Sequence, residues 1–475
     1  MNKFKASWVC TFVIGCTILA FSMNGCDFLN PTDVRNPQTT EESLESGGTG
    51  ASGPFLNGVA FRYSDAIEDI SYFTDVVSDN YDNVATFISP EADFPRNMRP
   101  SDLTLNGGGG PYFEVQELRS LADFTITGVI PNDAQATPDD LAEALFYRGM
   151  SNLLAGENFS AVPTEENGPL VPSEQLLQLA VADFTEALNT SQHSGFEARI
   201  HIVKARAYRL LGDKANAEVE ANAALGAASP DFVFPAQFDA ANNINSAYNF
   251  AVSRALNDVQ PLPRLDFLDP KYLDRDSPIA SVKMEEAHLI LAEAALSNGD
   301  NAGAVGHLVN AINLAKSRGT SSFVDDDPRE LRPQAGTVQA GPSASAISGL
   351  ILPRSGLLVQ VPTISGSSLN AAAVSALTDP AEIFYTLYLA RQEIFFYEGR
   401  RMSDLGIKLP IMNREIETNT NINAGDLGTV AVVPDYIPAE DGLDAFTFDG
   451  SNTVISVDMN QVLTDNRISP FSMPF

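Results

Sequence analysis

Two stretches of the chain, Tyr208-Arg209-Leu210-Leu211-Gly212-Asp213 and Leu296-Ser297-Asn298-Gly299-Asp300, decide the fold. Each leaves an apolar helical pattern through Gly-Asp. Each is followed by an alanine five residues after the glycine and another seven further on: Ala217 and Ala224 in the first copy, Ala304 and Ala311 in the second. Glycine permits a tight turn between two helices, and alanines two helical turns apart let the second helix lie close against the first. Matching offsets mark a repeated helical hairpin and make the chain mainly α.

These hairpins are tetratricopeptide-like. A third copy fits upstream, with Leu154-Ala155-Gly156-Glu157 ending one helix and Ala180, Phe184 and Ala187 lining the facing side of the next. Thr137 before Pro138, with Asp139 and Asp140 in the first turn, is a strong start signal, and that helix is expected to run from Pro138 to about Leu154 and end at Gly156. Another helical pattern covers Ala60 to Val77. The turn glycines Gly156, Gly212 and Gly299 are 56 and 87 residues apart, so insertions separate the copies. The expected architecture is therefore a set of helical hairpins embedded in a single large globular body with long irregular loops, and not a free-standing solenoid.

Composition sets outer limits. The chain has 475 residues with 28 Phe and 12 Tyr, enough to bury a large core, and a net charge of −32. A surface of that sign repels phosphate backbones, which excludes non-specific nucleic-acid binding and a polybasic membrane patch. Lys3 and Lys5 followed by the apolar run Trp8 to Phe21 read as a signal peptide over residues 1–25. Gly25 directly before Cys26 resembles the bacterial lipoprotein signal, in which the cysteine is lipidated and becomes the new N-terminus; a secreted protein with free Cys26 is the alternative. Cleavage there removes Lys3, Lys5, Cys10, Cys16 and Trp8, taking the charge from −32 to −34 and leaving one cysteine, so no intrachain disulfide is expected. The few remaining lysines against many carboxylates fit a saline habitat. Residues 26–54, rich in Thr, Glu, Ser and Gly, read as a tether, with a helical part at 55–345 and a C-terminal part at 346–475.

The C-terminal part carries the most specific segment. Asp379 before Pro380, with Glu382 completing a capping box, opens a helix through Phe384, Leu387, Ala390, Ile394 and Tyr397. Its second half and the following turn read Ala390-Arg391-Gln392-Glu393-Ile394-Phe395-Phe396-Tyr397-Glu398-Gly399-Arg400-Arg401-Met402-Ser403-Asp404-Leu405. That string resembles the Arg-x-x-Glu-Phe-x-x-Glu-Gly-x-Arg-x-x-Asp-Leu signature of the SusD/RagB family of outer-membrane nutrient-binding lipoproteins. Arg391, Glu398, Gly399, Arg401, Asp404 and Leu405 fall in place, and Leu409-Pro410-Ile411, Cys26-Asp27-Phe28-Leu29 and Ser78-Asp79 look familial too. Met402 and Ser403 stand where the family commonly has aromatics, and the tail from Asn421 departs from its usual ending.

The resemblance implies a SusD-like fold and a non-enzymatic, lipid-anchored, cell-surface protein of the outer membrane. Such a protein binds oligomeric nutrient, oligosaccharide first and peptide second, and passes it to a SusC-type TonB-dependent transporter without a cofactor or metal. A tetratricopeptide adaptor that scaffolds envelope assembly and a lipid-anchored hydrolase are the competing readings. Spacing assigns Arg391, Glu398, Arg401 and Asp404 to ion pairs that hold the last helix, in preference to ligand contact. No His-Glu-x-x-His pair, Gly-x-Ser-x-Gly elbow or Gly-Lys-Ser/Thr phosphate loop occurs. Asp325-Asp326-Asp327 and the set Asp266, Asp269, Asp274 and Asp276 lack the spacing of a Ca²⁺ loop and read as solvated acidic turns.

Recognition is expected in the stretch from Tyr81 to Phe113, where Phe87, Phe94, Asn106 and the glycine run Gly107 to Gly110 accompany the candidate contacts Tyr81, Arg99, Tyr112 and Phe113. Flat aromatic faces beside hydrogen-bonding groups suit a sugar ring or a peptide.

Overall fold

Gly212 and Gly299 both adopt left-handed backbone, with φ of 70° and 76°, and the aspartate after each caps the next helix: Asp213 accepts from the Asn216 amide and Asp300 from that of Gly303. Ala217, Ala224, Ala304 and Ala311 are fully buried in the cleft between paired helices. The repeat read from the sequence is thus a real pair of hairpins, seen in a computed structural model that describes residues 50–83, 90–107, 109–251, 259–325, 336–439, 442–467 and 475. Met1–Gly48 and Thr49–Phe475 form separate units, and the described residues lie in the second. The signal peptide, Cys26, most of the tether, Phe87, Gly108, Asp326 and Asp327 lie outside the described residues.

Helices of seven or more residues are labelled in chain order: α1 (Ser52–Val77), α2 (Pro111–Phe124), α3 (Pro138–Asn158), α4 (Ser173–Thr190), α5 (Phe196–Leu210), α6 (Lys214–Ala227), α7 (Met284–Ser297), α8 (Asn301–Ser317), α9 (Pro380–Ile394) and α10 (Met459–Asp465). Three hairpins follow one another, α3 with α4, α5 with α6 and α7 with α8, and each packs on the next through α4 against α5 and α6 against α7. At one end α1 and α2 cover α3, and at the other α9 packs on both α7 and α8 and carries α10. Short antiparallel strand pairs, such as Tyr81–Asn83 with Val259–Pro261, stitch the insertions to this frame. A four-stranded sheet, in the order Phe446–Phe448, Asn452–Ile455, Thr337–Ala340 and Ile347–Ser348, joins the C-terminal part to the middle insertion.

Four local expectations need correction. The helix opened by Asp379 stops at Ile394 and does not reach Tyr397, which has left-handed backbone. The helix from Pro138 does not stop at Gly156 but continues to Asn158. Gly156 is a packing position, where a Cβ would stand 2.8 Å from Leu177 Cγ of α4. The first folded helix begins at Ser52, inside the segment read as tether. There the Asp133 carboxylate accepts from the Gly50 and Ser52 amides and the Ser52 hydroxyl, and those bonds hold its pKa well below the usual range. Finally, Asp266 and Asp325 are buried and together hold Arg354, whereas Asp274 and Asp276 are exposed as expected. A guanidinium brought from a distant loop turns two aspartates that look solvated in sequence into core ion pairs.

Candidate functional site

The signature segment packs as scaffold. Arg391 grips Asp404 with two bonds of 2.7 and 2.9 Å, and Arg209 of α5 reaches the same carboxylate at 3.3 Å while pairing with Glu293 of α7. Burial pushes the Asp404 carboxyl up, but the two guanidinium groups outweigh it and hold it below its ordinary value. Arg401 donates to both oxygens of Asp79, at 2.5 and 2.8 Å, and to Asn460 at 2.9 Å. Asp79, part of the familial Ser78-Asp79 pair, therefore ties the end of α1 to the last helices. Lys271 and Lys283 both reach Glu398. Arg391, Glu398, Arg401 and Asp404 are all buried, and each is paired within the protein, Arg391 with Asp404, Arg401 with Asp79 and Glu398 with the two lysines, so none is presented to a ligand.

The early aromatic stretch divides. Tyr81 is a core residue and not a ligand platform: its ring stacks on Phe396 with centroids 5.1 Å apart, meets Tyr397 edge-on, and its hydroxyl donates to Asp269. Tyr112 is likewise buried, edge-on to Phe159, its hydroxyl accepting from Gln116. Both expectations fail for one reason: stacking on a sugar needs a ring face open to solvent, and these faces are covered. Phe94, Asn106 and Phe113 are half-buried and Arg99 is exposed, but none of the four lines the cavity beneath this loop.

That cavity has a volume of about 490 Å³. Its wall is one face of α1, where Asp65, Glu68, Asp69 and Tyr72 recur at helical spacing, with Phe73 beside them. Thr104, Gly109 and Pro111 bring in the early loop, Glu114 comes from the first turn of α2, and Ser246 closes the far side. Arg62 brings a cation to these carboxylates, 3.2 Å from Asp65 and 3.5 Å from Glu114.

Burial dominates the electrostatics. It pushes Glu68 up to about 7, with Ser246 opposing and Asp65 and Glu114 assisting. It also raises Glu114 to about 7, against Arg62 and with help from Asp65, and lifts Asp69 well above its ordinary value. Around neutral pH Glu68 and Glu114 are thus partly protonated, and the cavity offers O–H donors as well as carboxyl acceptors. A polyhydroxylated, uncharged ligand matches that set, and an anionic one is repelled.

A stability test follows from the same values. For Glu68 and Glu114 the folded pKa lies above the unfolded one, so the folded state binds more protons between about 4.5 and 7 and loses stability as pH rises through that window. Glu68→Gln is expected to melt a few degrees higher than the parent at pH 8, with the gap closing toward pH 4. A gap that stays constant with pH would contradict the assignment.

A second cavity of about 780 Å³ lies between the first turns of α9 and α10, where the Tyr385 hydroxyl donates to Asp458 at 2.8 Å. Sequence reasoning passed over the acids at positions 65, 68 and 69, whose helical spacing was the available signal, and nothing local announced that Glu114 and Ser246 would close the cavity.

No family model matches the chain, and no curated protein matches it. Solved structures do match. A SusD superfamily protein of Bacteroides thetaiotaomicron is 14% identical with a TM-score of 0.51, over 80% of this chain and 95% of its own. Bacteroides fragilis NanU is 12% identical with a TM-score of 0.52, over 82% of this chain and 95% of its own. A Bacteroides vulgatus protein described as a candidate sugar-binding protein is 15% identical with a TM-score of 0.51, over 79% of this chain and 98% of its own. The likeness is one of fold, and the SusD-like architecture expected from the Arg391–Leu405 segment is the one this chain has.

Proposed function

We propose that this SusD-fold protein is a non-enzymatic binding protein that captures an uncharged oligosaccharide and delivers it to a SusC-type TonB-dependent outer-membrane transporter. The observation that carries the reading is the carboxylate-lined cavity of about 490 Å³, bordered by the early loop and by the packed helices α1 and α2. A pocket of that size takes one or two sugar rings, and carboxyls that both donate and accept suit hydroxyl groups in either role. Loops borne by packed helices are where recognition is best placed without disturbing the core. The sugar-binding description of the Bacteroides vulgatus structure supports the ligand class.

Calorimetric titration with a panel of neutral oligosaccharides, uronic-acid oligosaccharides and peptides tests the reading. Binding is expected for at least one neutral glycan and for no acidic one, and it weakens as pH rises past about 7 because ionised carboxyls lose their donor protons. Tight binding of an acidic glycan, or hydrolysis of any panel member by the purified protein, would overturn it. Co-purification with a large β-barrel transporter supports delivery, whereas recovery with envelope-assembly machinery supports the adaptor reading.

Anchoring is proposed through lipidated Cys26, whose acyl chains would hold the protein at the cell surface despite its charge. Cys26→Ser is expected to move the protein from the membrane fraction to the soluble one with an unchanged melting temperature. A variant that stays membrane-bound in cells lacking the transporter would contradict that anchor.

A further inference from the structure

The two hairpins that match at Gly212 and Gly299 also match at one facing pair of side chains. With the same 87-residue step, His201 of α5 corresponds to His288 of α7, and Glu220 of α6 corresponds to His307 of α8. In the first hairpin the pair is satisfied: His201 Nδ1 lies 2.6 Å from Glu220 Oε2, and Lys204 Nζ lies 2.6 Å from the other oxygen. In the second hairpin the carboxylate is replaced by an imidazole, and His288 Nδ1 faces His307 Nδ1 at 3.4 Å.

That distance is long for a hydrogen bond between two rings. It is the bite of a tetrahedral ion: two nitrogens each about 2.0–2.1 Å from Zn²⁺ lie about 3.3–3.4 Å apart. Both rings are half-buried, so solvent reaches the remaining positions. Among the described residues no group of three His, Cys, Asp or Glu side chains is placed to hold a metal, which leaves water or an outside donor for the other positions.

We propose that His288 and His307 form a two-ligand site for a borderline divalent transition-metal ion such as Zn²⁺, which clips α7 to α8 at a place separate from the carboxylate cavity. Imidazole pairs suit Zn²⁺ and Cu²⁺ and not the hard cations Ca²⁺ and Mg²⁺. An ion bound only in the folded state raises stability.

Titration of untagged protein with ZnCl₂ at pH 7.5, read by calorimetry and by melting temperature, tests this. One ion per chain is expected, with a Zn²⁺-dependent rise in melting temperature. His288→Gln and His307→Gln should each weaken binding at least about tenfold, a loss that even a ligand's supporting partner can produce, and should abolish the rise. His201→Gln should leave both unchanged. No binding to the parent protein, or parent-like affinity and melting rise in either pair variant, would overturn the proposal.

Discussion

Arg401→Ala is expected to cost about 3–5 kcal/mol of folding stability, the range for removing one partner of a buried ion pair. The guanidinium is 1% exposed, and its two bonds to Asp79 and one to Asn460 have no water to replace them. Without it the Asp79 carboxylate stays buried at the end of α1, with a bond from Gln392 at 3.0 Å. Urea unfolding checks this, and an Arg401→Ala protein as stable as the parent would show that the cluster is not structural. Ligand affinity per folded molecule is expected to stay unchanged, because the cluster lies apart from the cavity lining.

Gly399→Val should be nearly as damaging, for a different reason. The residue has φ of 73°, a conformation that a β-branched side chain resists, and its Cβ would stand 2.9 Å from Ile70 Cγ2 of α1. Backbone strain of about 1–3 kcal/mol and overpacking of about 1–3 kcal/mol together give roughly 2–6 kcal/mol. The preceding turn is already tight: Tyr397 has φ of 57° and its amide donates to Asp75 at 2.6 Å. A variant that melts within two or three degrees of the parent would mean that the turn can rearrange.

The frame was legible because its signals are local. Gly-Asp followed by two alanines specifies a turn, a cap and a close-packed face within about fifteen residues, and Thr137-Pro138 specifies a helix start within two. Helix ends were less legible, since Gly156 reads as a stop but is the contact point for a partner helix that begins at Ser173. Of the stretch from Tyr81 to Phe113 where recognition is expected, Thr104, Gly109 and Pro111 line the cavity, but the named aromatics do not. Tyr81 and Tyr112 have the right chemistry to stack on a sugar, but Phe396 and Phe159, which cover them, come from distant parts of the chain. The pattern of Asp65, Glu68 and Asp69 marks an acidic helix face, yet only the fold decides whether that face is solvated or set against Glu114 in a cavity. Arg354 between Asp266 and Asp325 carries the same lesson, for no spacing in the sequence links the three.

In the proposed function the α1 carboxylate face beneath the early loop binds the ligand, while the Arg391–Leu405 segment holds the fold. The most direct measurement is the affinity of the strongest-binding neutral oligosaccharide for the parent protein and for Asp69→Ala, with melting temperatures recorded alongside. Asp69 is half-buried in the cavity lining, and burial together with the neighbouring Glu68 raises its carboxyl. The account predicts at least a tenfold loss of affinity in Asp69→Ala with a melting temperature equal to or above that of the parent. Parent-like affinity in that variant would contradict it and place recognition elsewhere on the molecule.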